Sequence, residues 1–247
     1  MISRAENVMG TVVSFLVDPG DLAPDALDAA IQEACDELHR VDSQFSAWIP
    51  TSELSLLRGG DSGEPSALMD EVIGLCAQAF DLSKGFFDPW ATSDGFDPTG
   101  LVKGWAAERA LGFLRESGVR SALVNAGGDV CVLPGSTFQV GIRHPNDPSA
   151  LCGVVAVSSS IATSGVYERG HHIINPFGRD VAGISATVVG GRLAIADALA
   201  TALAAGGKEV LFLLEQMVGI EGFYITPNGA MFQTSGMQFS NSQSDVI

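Results

Sequence analysis

Basic residues are scarce in this chain, and their scarcity limits the partners that it can bind. The 247 residues include 13 lysines and arginines against 29 aspartates and glutamates, which gives a formal net charge of -16. Nucleic acid and anionic membrane surfaces bind through positive patches, so we expect neither as a partner. A polyphosphate ligand would need its charge neutralised locally, by a metal ion, a lysine or a helix N-terminus.

Cysteines and long apolar runs are also few. The four cysteines form no C-x-x-C pair, which predicts buried free thiols in a reducing compartment. No apolar run reaches the length of a membrane span. The first residues show no signal peptide and no lipid-anchor cysteine. These absences predict a cytoplasmic protein without membrane insertion.

Two common nucleotide-binding signatures are missing. The chain contains neither G-x-G-x-x-G nor G-x-x-x-x-G-K-[ST]. Their absence disfavours a nicotinamide-dinucleotide site of the Rossmann type and a P-loop nucleotide site.

The hydrophobic pattern, in contrast, is rich enough for a large core, since hydrophobic residues make up 46% of the chain. Apolar and β-branched runs predict strands over 9–17, 121–125, 130–132, 137–142, 153–157, 185–189 and 222–225. Helical periodicity predicts helices over 21–40, 52–57, 66–84, 99–116, 194–205 and 210–217. Because the elements follow no strict βαβ rhythm, we predict an α+β fold with mixed, mainly antiparallel sheets flanked by helices. No linker or repeat is evident, so residues 1–247 are predicted to form one domain with a partly frayed tail over 234–247.

The sharpest chemical signal is ADALATAL, residues 196–203. Asp197 and Thr201 are four residues apart on a predicted helix and therefore share one face. A carboxylate and a hydroxyl are hard oxygen donors that suit Mg²⁺, Mn²⁺ or Ca²⁺. The alternative is an aspartate stabilised by the helix dipole and a threonine bonded back to a carbonyl.

A second signal is FDPTGLVKGWAAERA, residues 96–110. Gly100 and Gly104 permit close backbone approach, Lys103 can neutralise phosphate, and Asp97 is a plausible helix cap. The alternative is an ordinary capped helix with a surface lysine.

Two further segments are polar and turn-like. VNAGGDV, residues 124–130, is either a ligand-binding strand turn or a plain tight turn. In 162–176, Thr163, Ser164 and Gly165 can bind phosphate or flavin or form an ST-turn. His171 and His172 would point to opposite sides of an extended segment, so at most one would face a given site.

Taken together and in order, these motifs resemble one family closely, the ApbE flavin transferases (FAD:protein FMN transferases). The resemblance runs from Met9 to about Gly207 and is carried by MGT, FSAWIPTSELSLL, GFFDP, DPTGLVKGWAAERA, ALVNAGGD, ATSGVYER, HIINP and ADALATAL. It implies a two-lobed domain with the site between the lobes. It also implies a Mg²⁺-dependent reaction in which an acceptor protein's threonine or serine hydroxyl attacks the FAD pyrophosphate, takes FMN and releases AMP.

The resemblance also implies roles for individual residues. Asp197 and Thr201 match metal ligands, and Gly100 matches the position whose carbonyl joins them. His172 matches the proposed base, so His172 and Asp197 are the expected catalytic residues. The expected cofactor-binding residues are Met9, Gly100, Lys103, Asn125, Gly127, Gly128, Thr163, Ser164 and Gly165.

Three features depart from the family pattern. The stretch between Asp88 and Asp97 is shorter than usual, Asn175 stands where the family usually has Asp, and the common lipoprotein export signal is absent. The last departure favours cytoplasmic acceptors. The same site residues would also serve a Mg²⁺-dependent FAD pyrophosphatase, and a flavin-binding carrier and an inactive interaction protein are further alternatives.

Overall fold

The computed structural model describes residues 1–60, 63–165, 173–240 and 246–247, and these ranges contain ten strands and six helices. The helices are α1 (Pro24–Phe45), α2 (Glu53–Arg58), α3 (Ala67–Ser83), α4 (Thr99–Ser117), α5 (Leu193–Gly206) and α6 (Lys208–Leu214). The strands are β1 (Ile2–Val8), β2 (Thr11–Asp18), β3 (Ser121–Ala126), β4 (Asp129–Val132), β5 (Phe138–His144), β6 (Asp147–Val157), β7 (Ser160–Gly165), β8 (Ser185–Val189), β9 (Glu221–Ile225) and β10 (Met231–Gln233).

Eight strands form one antiparallel sheet in the order β1-β2-β3-β4-β7-β8-β9-β10, and β5 pairs with β6 in a separate hairpin. Alternation along β3 shows how the large sheet is covered. Ala122 and Val124 belong to the main hydrophobic core with the helices. Leu123, between them, belongs to a smaller core with residues of β5 and β6. Both faces of the sheet are therefore buried.

Helix α4 packs against α1 through an aromatic and ionic contact. The rings of Phe45 and Trp105 meet edge to face with 5.4 Å between centroids, and the Arg109 guanidinium lies 4.9 Å from the Trp105 ring centroid. The carboxylate of Glu37, which is buried, accepts hydrogen bonds from Arg40 at 2.7 Å and Arg109 at 2.5 Å. Burial alone would raise the pKa of Glu37, but these two guanidinium groups bring it below its ordinary value.

Several element bounds differ from the sequence prediction. The predicted strand 9–17 is the second half of a hairpin, because Met9 and Gly10 take φ values of 54° and 67° and turn the chain between β1 and β2. Helix α1 continues to Phe45, since Val41 and Phe45 prolong its buried face. The segment 160–165, interpreted as small and polar, is strand β7 in the large sheet.

Two smaller differences concern the start of helix α4 and the C-terminal tail. Pro98, not Asp97, occupies the N-cap position of α4, although the Asp97 carboxylate still accepts the Thr99 N–H at 3.0 Å. The described part of the predicted tail packs on the fold through buried Thr234 and Met237.

The four cysteines are free and form no disulfide, and burial raises the pKa of the Cys76 thiol to about 12. Of the helices in the described ranges, none combines the length and apolar character that a membrane span requires.

Candidate functional site

The fifth residue of α5, Asp197, opens onto a cavity of about 100 Å³ that Thr201 also lines. Asp197 is 2% exposed, and its Oδ2 accepts a hydrogen bond from the Gly104 N–H of α4 at 3.2 Å. The Thr201 hydroxyl lies 3.0 Å from the Ser164 hydroxyl of β7. The helical spacing predicted from the sequence thus places a carboxylate and a hydroxyl in one cavity wall.

Glycines bring α4 against α5 at this point. A Cβ on Gly104 would lie 2.7 Å from the carbonyl oxygen of Leu193, and a Cβ on Gly100 would lie 3.1 Å from the Thr201 hydroxyl oxygen. Both glycines therefore let the start of α4 approach α5 more closely than any larger residue would. Gly100 itself lines the cavity, close to Thr201.

Lys103 is held by a fully buried carboxylate that the sequence analysis did not single out. Its Nζ lies 2.5 Å from Asp129 Oδ2, and Asp129 Oδ1 accepts the Thr163 N–H at 3.0 Å. Asp129 is 0% exposed. One carboxylate therefore fixes both the lysine of α4 and the strand that carries Thr163. The signal available in the sequence was the aspartate that ends VNAGGD.

The Gly-Gly turn of that motif lies immediately before Asp129. Gly127 and Gly128 have φ values of 62° and 103°, and the Asn125 side chain accepts the Gly128 N–H at 2.7 Å. None of Asn125, Gly127 and Gly128 lines the cavity beside Asp197 or the second cavity described next. Their predicted flavin contact stays a prediction.

A second, larger cavity adjoins the first. Its volume is about 500 Å³, and Thr99 and Lys103 line both cavities. Its other walls include Met9, which was predicted from the sequence, and Trp48, which was not. Trp48 is 93% exposed, an unusual state for so large an apolar side chain. In the sequence, Trp48 could have been singled out by its position within the motif FSAWIPTSELSLL.

Of the remaining predicted site residues, those of β7 belong to the part of the chain that the structure describes, and the two histidines do not. Thr163, Ser164 and Gly165 line the first cavity from β7, and Thr163 also hydrogen-bonds Thr187 through its hydroxyl at 2.9 Å. His172, the predicted base, lies outside the described residues together with His171.

The comparison with known families is decisive. The model of the ApbE family matches residues 9–94 and 92–224 of this chain. The chain belongs to the ApbE family. The resemblance predicted from the motifs is thereby confirmed.

Curated relatives of the ApbE chain carry the name FAD:protein FMN transferase. One from Rhodobacter capsulatus is 35% identical over 153 residues, which are 56% of this chain and 29% of that protein. One from Klebsiella pneumoniae (strain 342) is 36% identical over 86 residues, 31% of this chain and 27% of that protein. One from Treponema pallidum (strain Nichols) is 28% identical over 163 residues, 56% and 45% of the two chains. The matched region thus spans less than half of each of these relatives.

Solved ApbE structures share the fold over nearly the whole chain. The Thermotoga maritima ApbE protein superposes with a TM-score of 0.78 at 21% identity, covering 95% of this chain and 97% of that one. The apo flavinyl transferase ApbE of Pseudomonas stutzeri gives 0.77 at 20% identity, covering 95% and 94%. The predicted α+β fold with mainly antiparallel sheets is confirmed.

The shortened segment of this ApbE chain borders the first cavity. The two family matches meet at residues 92–94, inside the stretch predicted to be shorter than usual. Asp88 and Asp97, at its ends, both line the cavity beside Asp197. Asp88, Asp97, Asp197 and Lys103 therefore line one cavity, in which Asp97 is paired with Arg58 and Lys103 with Asp129.

Asn175, the second predicted departure from the family pattern, has hydrogen-bond partners that suit an amide. Asn175 is 7% exposed, and its Nδ2 donates to the Ala205 carbonyl near the end of α5 at 2.9 Å. Its Oδ1 accepts the Phe177 N–H at 3.1 Å. An ionised aspartate cannot donate to Ala205, so the amide is matched to these partners.

Proposed function

We propose that this chain is a Mg²⁺-dependent FAD:protein FMN transferase. It transfers FMN from FAD to a threonine or serine hydroxyl of an acceptor protein and releases AMP. Membership of the ApbE family and the name shared by the curated relatives support this reaction. The cytoplasmic location stays a prediction from the sequence.

The charge of the first cavity is the observation that carries the proposal. Among its described lining residues, Asp88, Asp97 and Asp197 are acidic and Lys103 is basic, and the Asp97 carboxylate is paired with Arg58 at 3.3 Å. Lys103 already contacts the buried Asp129 carboxylate. A pyrophosphate would therefore be repelled from this cavity unless a bound cation neutralised it.

The donor set fits a magnesium ion. Asp197 and Thr201 offer a carboxylate and a hydroxyl, and Gly100 lines the same cavity close to Thr201, so we expect its backbone carbonyl to complete the donor set. Magnesium commonly binds through one or two protein oxygens plus substrate phosphates. When bound there, the ion would supply neutralisation of the phosphate charge.

The chain's own residues bind and orient FAD. Lys103 lies between the two cavities, so its ammonium can contact the pyrophosphate at their junction. Thr163 and Ser164 line the first cavity from β7, and the Ser164 hydroxyl, 3.0 Å from the Thr201 hydroxyl, is the one beside the proposed metal site. The larger cavity, with Met9 and the exposed Trp48, has the size and apolar surface that a planar ring requires.

The bond changes are those of a phosphoryl-type transfer. A bond forms between the acceptor oxygen and the FMN phosphorus, the pyrophosphate P–O bond breaks, and AMP leaves with the bridging oxygen. The hydroxyl proton passes to a base, for which His172 stays the predicted residue. Substitution of water for the acceptor would give the FAD pyrophosphatase reaction.

The test is intact-protein mass spectrometry of candidate acceptor proteins incubated with FAD, Mg²⁺ and this chain. We expect a mass gain of one FMN less one water, with equimolar AMP. Asp197→Asn should abolish both products, whereas Gly112→Ala, at a helical position with no atoms near its Cβ, should retain both. AMP without a mass gain would assign the pyrophosphatase reaction, and neither product would favour a flavin carrier.

A further inference from the structure

The N-terminus of α5 lacks a cap of its own. Arg192 occupies the N-cap position without a side-chain cap hydrogen bond, and the first turn contains no acidic residue. The first four N–H groups of a helix need partners from outside the helix. Leu193, whose N–H is among them, is fully buried, so water cannot supply the partner.

The missing carboxylate comes from α4. Glu108 Oε1 accepts the Leu193 N–H at 2.5 Å, and Glu108 Oε2 accepts from the Arg192 guanidinium at 3.0 Å. The Glu108 side chain is 19% exposed. A carboxylate at a helix N-terminus is favoured both by the free N–H groups and by the helix dipole.

Glu108 and Gly104 hold successive turns of α5. They are four residues apart and therefore lie one turn apart on the same face of α4. Gly104 donates its N–H to Asp197, and Glu108 accepts the N–H of Leu193, four residues before Asp197. In one contact α4 donates the hydrogen bond, and in the other α4 accepts it. Together the two contacts fix the position of α5 along its axis relative to α4.

We propose that Glu108 is a positioning residue for the metal site. By fixing the start of α5, it sets where Asp197 and Thr201 stand relative to Gly100, although it touches none of the three. The inference rests on the metal site of the proposed function. It requires that loss of Glu108 weaken metal binding beyond what a general loss of stability would cause.

The substitutions separate the contacts. Glu108→Ala removes both hydrogen bonds, and we expect the Kd for Mn²⁺ to rise about tenfold, the lower end of the effect of removing an outer-shell partner. Glu108→Gln keeps an acceptor for Leu193 and should raise Kd far less than Glu108→Ala does. Arg192→Ala leaves the bond between Glu108 and Leu193 in place and should bind Mn²⁺ like the wild type.

A matched control comes from the other end of the sheet. Thr234 is buried, and its hydroxyl accepts the Gly222 N–H at 3.0 Å. Thr234→Val removes a buried hydrogen-bond partner of another backbone N–H but lies on the segment after β10. We expect it to lower the urea midpoint without changing the Kd for Mn²⁺.

The experiment is a Mn²⁺ titration of each variant followed by electron paramagnetic resonance, with urea unfolding measured in parallel. A tenfold weakening in Glu108→Ala, with Thr234→Val and Arg192→Ala unchanged, supports the proposal. Wild-type affinity in Glu108→Ala overturns it, as does equal weakening in Thr234→Val. If Glu108→Ala does not fold, Glu108→Asp takes its place, because the shorter side chain withdraws the carboxylate from the Leu193 N–H, and a wild-type Kd in Glu108→Asp overturns the proposal. An unchanged Kd in Asp197→Asn would instead remove the metal site of the proposed function. Wild-type binding lost in Asp197→Asn but retained in Glu108→Gln and Glu108→Ala would refute the positioning role alone.

Discussion

Replacing Gly104 by alanine adds one methyl group at the closest approach of two helices. The new Cβ would lie 2.7 Å from the carbonyl oxygen of Leu193, 2.9 Å from its carbonyl carbon and 3.2 Å from the backbone nitrogen of Ala194. All three atoms belong to the backbone of the first turn of α5. No side chain can rotate away, so α4 and α5 must separate.

The magnitude follows from two opposing effects. Overpacking a buried contact costs about 1–3 kcal/mol. Alanine in place of glycine within a helix returns roughly 0.5–1 kcal/mol. We therefore expect Gly104→Ala to lower the free energy of unfolding by about 1–2 kcal/mol, which for a chain of this length corresponds to a fall in Tm of roughly 2–8 °C.

Gly112 provides the control within the same helix. Apart from the adjoining backbone of its own helix, no atom lies within 4 Å of the position that its Cβ would take. Gly112→Ala should therefore raise the free energy of unfolding by about 0.5–1 kcal/mol. The two variants differ from the wild type by the same methyl group, so their difference isolates the helix contact.

Urea unfolding of the two variants measures the difference directly. Because the separated helices would also displace Asp197 from the Gly104 N–H, FMN transfer should fall in Gly104→Ala and be retained in Gly112→Ala. If Gly104→Ala were as stable as Gly112→Ala, the close packing of α4 on α5 would be refuted.

Three further outcomes follow from single contacts. Asn175→Asp should lower the free energy of unfolding by about 1–3 kcal/mol at pH 8, because a buried carboxylate replaces the amide that donates to the Ala205 carbonyl. At pH 4.5 the loss should be smaller, since a protonated acid can donate to that carbonyl. Equal losses of urea midpoint at both pH values would contradict this. Because the folded pKa of Glu37 is lowered from 4.5, its stabilisation is present above pH 4.5 and is lost as pH falls below it. Glu37→Gln should therefore flatten the acid limb of the stability curve, and an unchanged limb would count against the assignment. Trp48→Ala should raise the Kd for FAD about tenfold by calorimetry and leave the free energy of unfolding nearly unchanged, because the exposed ring is expected to pack only on the ligand. An unchanged Kd would show that the flavin ring does not bind at Trp48.

The helices were largely predictable because their periodicity is local. The short helix α2 and its Ser52 cap, and α3 with its Ser66 cap, follow from residues adjacent in the sequence. Strand β7 was missed because its small polar residues, including Thr163, resemble a turn in isolation. Its buried position depends on β4 and β8, which lie elsewhere in the chain.

The candidate site likewise has a part that could be predicted from local sequence and a part that could not. The shared face of Asp197 and Thr201 follows from a four-residue spacing, which any helix imposes. The partners of Lys103 and Leu193 do not follow, because Asp129 and Glu108 reach them across 26 and 85 residues of sequence. Only the pairing of α4 with β4 and α5 brings these groups together.

That long-range pairing changes what Lys103 can contribute to phosphate binding. The sequence presents it as an available cation in an acidic chain, whereas the fold places its ammonium 2.5 Å from the fully buried Asp129. An ion pair of this kind has little net charge to offer, so the lysine orients a phosphate more than it neutralises one. In the proposed function, the neutralising charge comes from a cation at the position bordered by Asp197, Thr201 and Gly100. FAD affinity should accordingly depend more steeply on divalent cation than on the charge of Lys103 itself.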